Sequence, residues 1–214
     1  MSLPPDLLPV HEDAHLLVLD KPAGLLCVPG RGEDKQDCLS SRAQRRWPDA
    51  LVVHRLDMAT SGLVLMARSP AIQRLLGDAF AAGQIWKRYE AIVDGLAPGN
   101  EWAVIDAPIA ADWPNRPLQK IDPLGKPSVT RWRTLHTQPE RNASHLLLEP
   151  RTGRTHQLRV HLASVGHPIL GDALYGDERV ASRAPRLLLH AGVLQFRHPA
   201  TGAAARFESP TPFV

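Results

Sequence analysis

The sequence predicts an α+β fold with a mixed, largely antiparallel central sheet flanked by helices and loops. Two observations carry this reading. Short apolar or alternating runs, each closed by turn residues, recur along the chain and are interrupted by only three helical stretches. Several of these strands also follow one another with no crossover helix between them, which a parallel sheet would need.

The elements read in order as follows. His15 to Asp20 is a buried strand stopped by Lys21-Pro22-Ala23-Gly24. Cys38 to Trp47 is a short basic helix, and Gly62 to Ala67 a second buried strand. Ser69 then supplies an N-cap and Pro70 a first helical residue for a helix over Ala71 to Ala82, with Gly83 as C-cap. Tyr89 to Val93 alternates and stops at Asp94-Gly95. From Ala107 to Pro127 five prolines in 21 residues predict a long surface loop without regular structure. Ser128 to His136 and His145 to Glu149 read as an antiparallel pair. Thr155 to Val165 reads as a helix with Leu158, Leu162 and Val165 on one face and His156 and Arg159 on another, ended by Gly166. Leu187 to Leu189, Val193 to Phe196 and Ala204 to Phe207 are the last strands. No repeat, low-complexity tract or Gly/Ser-rich linker divides the sequence, so it reads as a single domain over 1–214.

Composition excludes several classes. With 43% apolar and 22% charged residues the chain matches folded globular proteins rather than disordered ones. Its longest aliphatic runs fall far short of the roughly 18 residues that cross a bilayer, and the opening Met-Ser-Leu-Pro-Pro-Asp carries no export signal. A cytoplasmic protein without a membrane partner is expected. Cys27 and Cys38 form neither a disulfide framework nor a CxxC pair. The net charge is only +3, with 25 basic residues, mostly Arg. Codon usage in a GC-rich genome accounts for that bias as readily as phosphate recognition does. Distribution says more: from Asn115 to His161 there are nine Lys/Arg against three Asp/Glu, the mark of a polyanionic partner.

Two constellations carry candidate chemistry. Arg55 and Asp57 lie in a polar loop just before a buried strand. Taken alone, an Asp ahead of Ser and Gly is more often a turn former. The stretch Arg151-Thr-Gly-Arg-Thr-His-Gln-Leu-Arg159 packs three Arg and a His around a helix start, a suitable anion site and equally a solvated basic face. His156 and His161 are five residues apart, about 140° round a helix, which disfavours metal ligation. HExxH, Walker and GxGxxG motifs are missing, so a reaction without metal or cofactor is favoured.

These residues match a family. His54-Arg-Leu-Asp-Met-Ala-Thr-Ser-Gly62 and Gly153-Arg-Thr-His-Gln-Leu-Arg-Val-His161 resemble the RluA family of pseudouridine synthases. The likeness extends to Asp20–Gly24, Val28–Arg31, Lys87–Ala91, Asp112–Pro117, Gly166–Asp172 and Pro185–His190, in the family's order. The short stretch ahead of His15 leaves no room for the S4 RNA-binding domain of many relatives. The Asp112-Trp-Pro-Asn-Arg-Pro117 loop is most similar to the family's dual-specificity members, which act on 23S ribosomal RNA and on the tRNA anticodon stem-loop.

The resemblance implies a cofactor-free isomerisation in which uracil leaves the ribose at N1, turns, and rejoins through C5. It implies that Asp57 is the ionised carboxylate, acting as nucleophile or as the base on the C2′ proton. Arg159 is then the guanidinium that keeps it charged, with Arg154 second in line and better suited to phosphate. Tyr89 stacks on the detached base near its C5 proton. The target uridine must be extruded from the RNA, and Arg55 resembles the arginine that fills the vacated place. His156 completes the substrate-binding motif, while Arg116, Lys120, Arg131, Arg133 and Arg151 are phosphate candidates. A monomer with no obligate protein partner is expected. A glycoside hydrolase would present a second carboxylate, whereas Asp20 and Asp172 look turn-like. A non-catalytic RNA binder would have lost Asp57 or Tyr89, and both are present.

Overall fold

A computed structural model describes residues 9–213 of the chain. The opening Met-Ser-Leu-Pro-Pro-Asp, in which no export signal is expected, lies outside the described residues. In chain order the elements are β1 (Pro9–Glu12), β2 (Leu16–Lys21), α1 (Leu39–Arg46), β3 (Leu51–Val52), β4 (Ser61–Ala67), α2 (Pro70–Ala81), β5 (Trp86–Asp94), β6 (Ala103–Asp106), β7 (Ile109–Ala111), β8 (Gln119–Ile121), β9 (Val129–Gln138), β10 (Ala143–Pro150), α3 (Gln157–Ser164), α4 (Glu178–Ala181), β11 (Leu189–Arg197) and β12 (Ala204–Glu208). The class is α+β as predicted. The pairs β1–β2, β2–β4, β5–β10, β9–β10, β6–β9 and β11–β12 are antiparallel. The chain forms two compact units: the residues up to Trp86 with Ala191–Pro210, and Lys87–His190 with the residues from Thr211 onward.

In the first unit the strands run β1-β2-β4-β11, with β3 on β4 and β12 on β11. Leu16, Val18, Leu63 and Leu65 pack with Ile72 and Leu76 of α2 and with Leu194 and Phe196 of β11. The intervening Leu17, Leu19, Val64 and Met66 are buried as well. Both sides of β2 and β4 are covered, which is why their sequences read as continuous aliphatic runs rather than alternating ones. The caps of α2 act as predicted: the Ser69 hydroxyl accepts from Ile72 N–H at 3.3 Å, Pro70 opens the helix, and Gly83 takes φ +68° beyond its end. Gly62 has φ +113°, and a Cβ there would lie 2.4 Å from the Ala191 carbonyl oxygen, so β4 and β11 approach this closely only over a glycine.

In the second unit the order is β5-β10-β9-β6, with β7 and β8 forming a separate hairpin. The register sets Tyr89 opposite Leu148 and Leu148 opposite Trp132. Helix α3 covers the face that carries Thr130: Gln157 Nε2–H donates to Thr130 Oγ1 at 3.0 Å, and His161 Nδ1 lies 2.9 Å from the same oxygen.

Three readings change. The stretch 107–127, expected to lack regular structure, holds β7 and β8. Its prolines at 108, 114, 117, 123 and 127 fall between the strands rather than inside them. Helix α3 starts at Gln157, two residues later than read, because His156 sits at φ 56° and cannot continue it. Its polar face is also interior, since Gln157 through Leu162 are all buried. Finally, Leu187–Leu189 and Val193–Phe196 were read as two strands, but a single strand, β11, runs from Leu189.

Candidate active site

The Asp57 loop lies in the first unit and is tied down on both sides of the acid. Leu56 N–H donates to Cys27 Sγ at 3.2 Å, and the Met58 carbonyl accepts from Gly24 N–H at 2.8 Å. The Lys21 ammonium, fully buried, donates to Pro22 O and Leu25 O at 2.8 Å each and to Met58 O at 3.1 Å. A buried ammonium is tolerated when carbonyls replace its water shell, and here those carbonyls join the Lys-Pro-Ala-Gly turn to the Asp57 loop. Thr60 N–H closes a turn onto Asp57 O at 3.1 Å. His54 Nε2 accepts from Leu65 N–H at 2.9 Å and its ring lies 4.5 Å from Phe80, which anchors the loop to β4 and α2. Between these anchors Leu56 points inward, Arg55 is exposed and Asp57 is half-buried. Burial pushes the Cys27 thiol above its ordinary value, so it stays a neutral acceptor.

In the second unit Arg159 is buried within α3 and grips Asp172 with both arms of its fork, Nε to Oδ2 at 2.8 Å and Nη2 to Oδ1 at 2.7 Å. Asp172 Oδ1 also accepts from Leu174 N–H at 2.9 Å and Tyr175 N–H at 3.1 Å. Tyr175 in turn lies under the guanidinium, 5.2 Å from Arg159 Cζ to its ring centre. The Tyr175 hydroxyl accepts from Gln119 N–H of β8 at 2.9 Å and sits 2.7 Å from His156 Nδ1. Arg159 and His156, paired by sequence alone, thus meet around a tyrosine that links them to the β7–β8 hairpin.

The remaining motif residues build the loop. Gln157 Oε1 accepts from the Thr152 hydroxyl at 2.7 Å and from Arg154 N–H at 3.0 Å, while its amide nitrogen donates to Val129 O at 3.0 Å. Arg154 Nε–H donates to Pro127 O at 3.2 Å. His161 is engaged at both nitrogens, by Thr130 Oγ1 and by Ala107 O at 2.9 Å each, and burial pulls it below its ordinary value of 6.5. Tyr89 and Lys87 fall on one face of β5 by strand alternation. Lys87 Nζ lies 3.7 Å from where a side chain on Gly153 would begin, and burial lowers its affinity for a proton. Arg116 stacks on Trp113 at 4.4 Å beside the hairpin, and Trp113 is 66% exposed. Arg131 and Arg133 project from the other side of β9, over Trp102.

Four residues of this architecture were not assigned by sequence reasoning: Lys21, Lys87, Asp172 and Tyr175. The segments Asp20–Gly24, Lys87–Ala91 and Gly166–Asp172 carried the signal for three of them, since each was noted as part of the resemblance. Asp172 was instead taken for a turn former.

Comparison with known proteins agrees with the resemblance. Residues 15–164 match the family model described as RNA pseudouridylate synthase. The chain is 44% identical over 210 residues to the dual-specificity RNA pseudouridine synthase RluA of Escherichia coli strain K12, covering 98% of this chain and 95% of that protein. It is 41% identical over 205 residues to the protein of that name in Haemophilus influenzae, covering 95% and 93%. Among solved structures, human RNA pseudouridylate synthase domain containing 1 superposes with a TM-score of 0.80 at 28% identity, over 97% of this chain and 84% of that one.

Proposed function

The chain belongs to the RNA pseudouridylate synthase family and isomerises uridine to pseudouridine in RNA, and from that premise we propose which of its residues perform the reaction and on which RNA. The isomerisation breaks the N1–C1′ bond, forms a C5–C1′ bond, releases the C5 proton and returns one to N1. It needs an ionised carboxylate at the sugar and a surface against which the free base can turn. Asp57 is that carboxylate, as nucleophile toward the substrate or as base on the C2′ proton. The observation that carries this reading is the fastening of its loop. Both neighbours of Asp57 are tied through backbone groups to Cys27, Gly24 and Lys21, while Asp57 itself remains half-buried at the surface. A reacting group whose flanking backbone is fastened by enclosed contacts keeps its geometry.

Tyr89 provides the ring against the detached base, and Arg159 the cation of the same reaction, oriented by Asp172 and Tyr175. Arg55, exposed and two residues before Asp57, enters the RNA where the uridine has left. Arg154, His156 and Arg116 line the path of the RNA backbone. The likeness of the Asp112–Pro117 loop to dual-specificity relatives supports 23S ribosomal RNA and the tRNA anticodon stem-loop as the two substrates. We further propose that the protein acts as a cytoplasmic monomer, as one catalytic domain and without an obligate protein partner. Among the described residues no helix is long and apolar enough to cross a membrane.

RNA carrying tritium at C5 of uridine tests the assignment. Wild-type protein releases the label to water, and Asp57→Asn stops release while RNA binding persists. Binding lost together with release would make Asp57 a structural residue, and liberation of free uracil would make the protein a hydrolase.

A further inference from the structure

Arg131 and Arg133 were grouped with the residues that hold the reacting RNA, yet the strand geometry sets them apart from it. Thr130 faces α3, through its contacts with Gln157 and His161, and alternation along β9 turns Trp132 the same way. Tyr89 is in register with Leu148, and Leu148 with Trp132, so Tyr89 shares that face. Arg131 and Arg133 therefore project from the opposite face. There Val104, in register with Arg131 on the terminal strand β6, is 58% exposed.

On this outer face Trp102, the residue before β6, has the Arg131 guanidinium 4.5 Å and the Arg133 guanidinium 5.2 Å from its ring centre. Glu149 lies beside Arg131 and takes both Arg131 and Arg151 at 3.3 Å. Glu90, farther across the sheet, is engaged by His145 at 2.8 Å. Two guanidiniums thus share one indole, and one of them, Arg131, shares the Glu149 carboxylate with Arg151. Among the described residues Arg133 forms no ion pair, and its covered Nε–H finds no acceptor. A cation left in that condition attracts an anion.

We propose that the Trp102–Arg131–Arg133 face is a second RNA contact surface, which takes an unpaired nucleotide flanking the target, its base against Trp102 and its phosphates on Arg133 and Arg151. The chemistry fits single-stranded nucleic acid, which is held by an aromatic ring under a base and guanidiniums along the backbone. The nucleotide bound here is not the one that reacts, because Tyr89 occupies the other face. The inference rests on RNA being the substrate and adds where a flanking segment runs.

The test compares two RNAs on the full chain: a stem-loop with the target uridine, and the same stem-loop with a single-stranded oligouridine tail of about ten nucleotides, long enough to place several bases within reach of one stacking site. Kd is read by fluorescence anisotropy across a salt series. In wild type the tail tightens binding roughly tenfold, the scale of one stacked base. Trp102→Ala brings the ratio of the two Kd values to near one, and Trp102→Tyr keeps most of it. Arg133→Gln lowers the slope of log Kd against log salt by about 0.7 with the tailed RNA only. A tail that gives wild type no gain, a Trp102→Ala that weakens both RNAs alike, or displacement of the tail by polyglutamate as readily as by oligouridine would each overturn the proposal. Tritium release measured on the bare stem-loop reads the substrate assignment separately, so its failure is distinguishable from failure of the tail comparison.

Discussion

Replacing Asp172 with Asn tests whether the Arg159 fork is held in place by a buried charge. The Arg159 side chain is 5% exposed and that of Asp172 fully enclosed, so neither ion is hydrated. In wild type the carboxylate accepts two hydrogen bonds from the fork and two more from Leu174 N–H and Tyr175 N–H. An amide has one oxygen to offer. If it stays on the two backbone donors, its NH2 faces the Arg159 Nε–H, donor against donor, and the negative charge that Asp172 sets against the guanidinium is lost. Removing one partner of such a pair costs about 3–5 kcal/mol. For a chain of this size each kcal/mol moves the melting temperature by roughly 2–4 °C, so Asp172→Asn should melt about 6–20 °C lower. The control is Asp49→Asn, which loosens the exposed Arg68–Asp49 contact at 3.0 Å and should stay close to wild type. Thermal melts followed by circular dichroism measure both. Single-turnover tritium release, run well below either melt, should fall for Asp172→Asn and not for Asp49→Asn. A shift of Asp172→Asn no larger than that of Asp49→Asn would refute the reasoning, because it would mean that the fork does not depend on the carboxylate's charge.

Further outcomes follow from the same physics. Lys21→Met strips the donor from three carbonyls at once and should destabilise the protein by roughly 3 kcal/mol or more, with turnover lost because the Met58 end of the Asp57 loop is released; urea denaturation and the tritium assay check this, and a fully active Lys21→Met would dismiss the clamp. Burial holds His161 below its ordinary value of 6.5, so on acidification the unfolded chain takes up that proton first. The stability contributed by His161 is therefore complete above about pH 6.5 and erodes below it; urea midpoints measured across this range should fall in wild type and fall less in His161→Gln. Arg159→Ala should abolish turnover while changing the salt slope of RNA binding by less than about one phosphate contact, whereas a large change in slope with turnover intact would make Arg159 a backbone-binding residue.

Contacts local in sequence were legible, and contacts between distant segments were not. Ser69-Pro70 and Gly83 announced α2 because capping is decided within a few residues. The same locality misled at 107–127, where counting prolines ignored their positions: Pro108 and Pro117 precede β7 and β8, while Pro123 and Pro127 follow β8. The Asp57 loop and the Arg159 motif stood out through resemblance, but what fastens them did not. Lys21 looks like a charge that ends an apolar run, and its role depends on a carbonyl 37 residues away. Asp172 precedes Ala and Leu as a turn residue would, and does cap backbone N–H groups there, yet its other oxygen serves an arginine 13 residues earlier. The helical period of α3 failed for a related reason. A helix whose Gln, Arg and His are all buried with partners has no polar face to detect.

These buried ions also change what the basic stretch means. Nine cations between Asn115 and His161 suggested one electropositive surface, but a charge count assumes that every cation faces water. Arg159 is neutralised inside the second unit by Asp172, which lies beyond the counted window. Arg154 spends its Nε–H on the Pro127 carbonyl, and Arg131 and Arg151 share Glu149. Of the other five, Lys120 pairs with Asp122, Lys126 and Arg141 are exposed, and two are stacked, Arg116 on Trp113 beside the hairpin and Arg133 on Trp102 at the sheet's outer face. In the two stacked pairs the indole holds the guanidinium's plane while leaving edge N–H groups for phosphate. The interior charges thus hold the Asp57 loop and the start of α3 in place, and fewer cations are left to face RNA than composition implies.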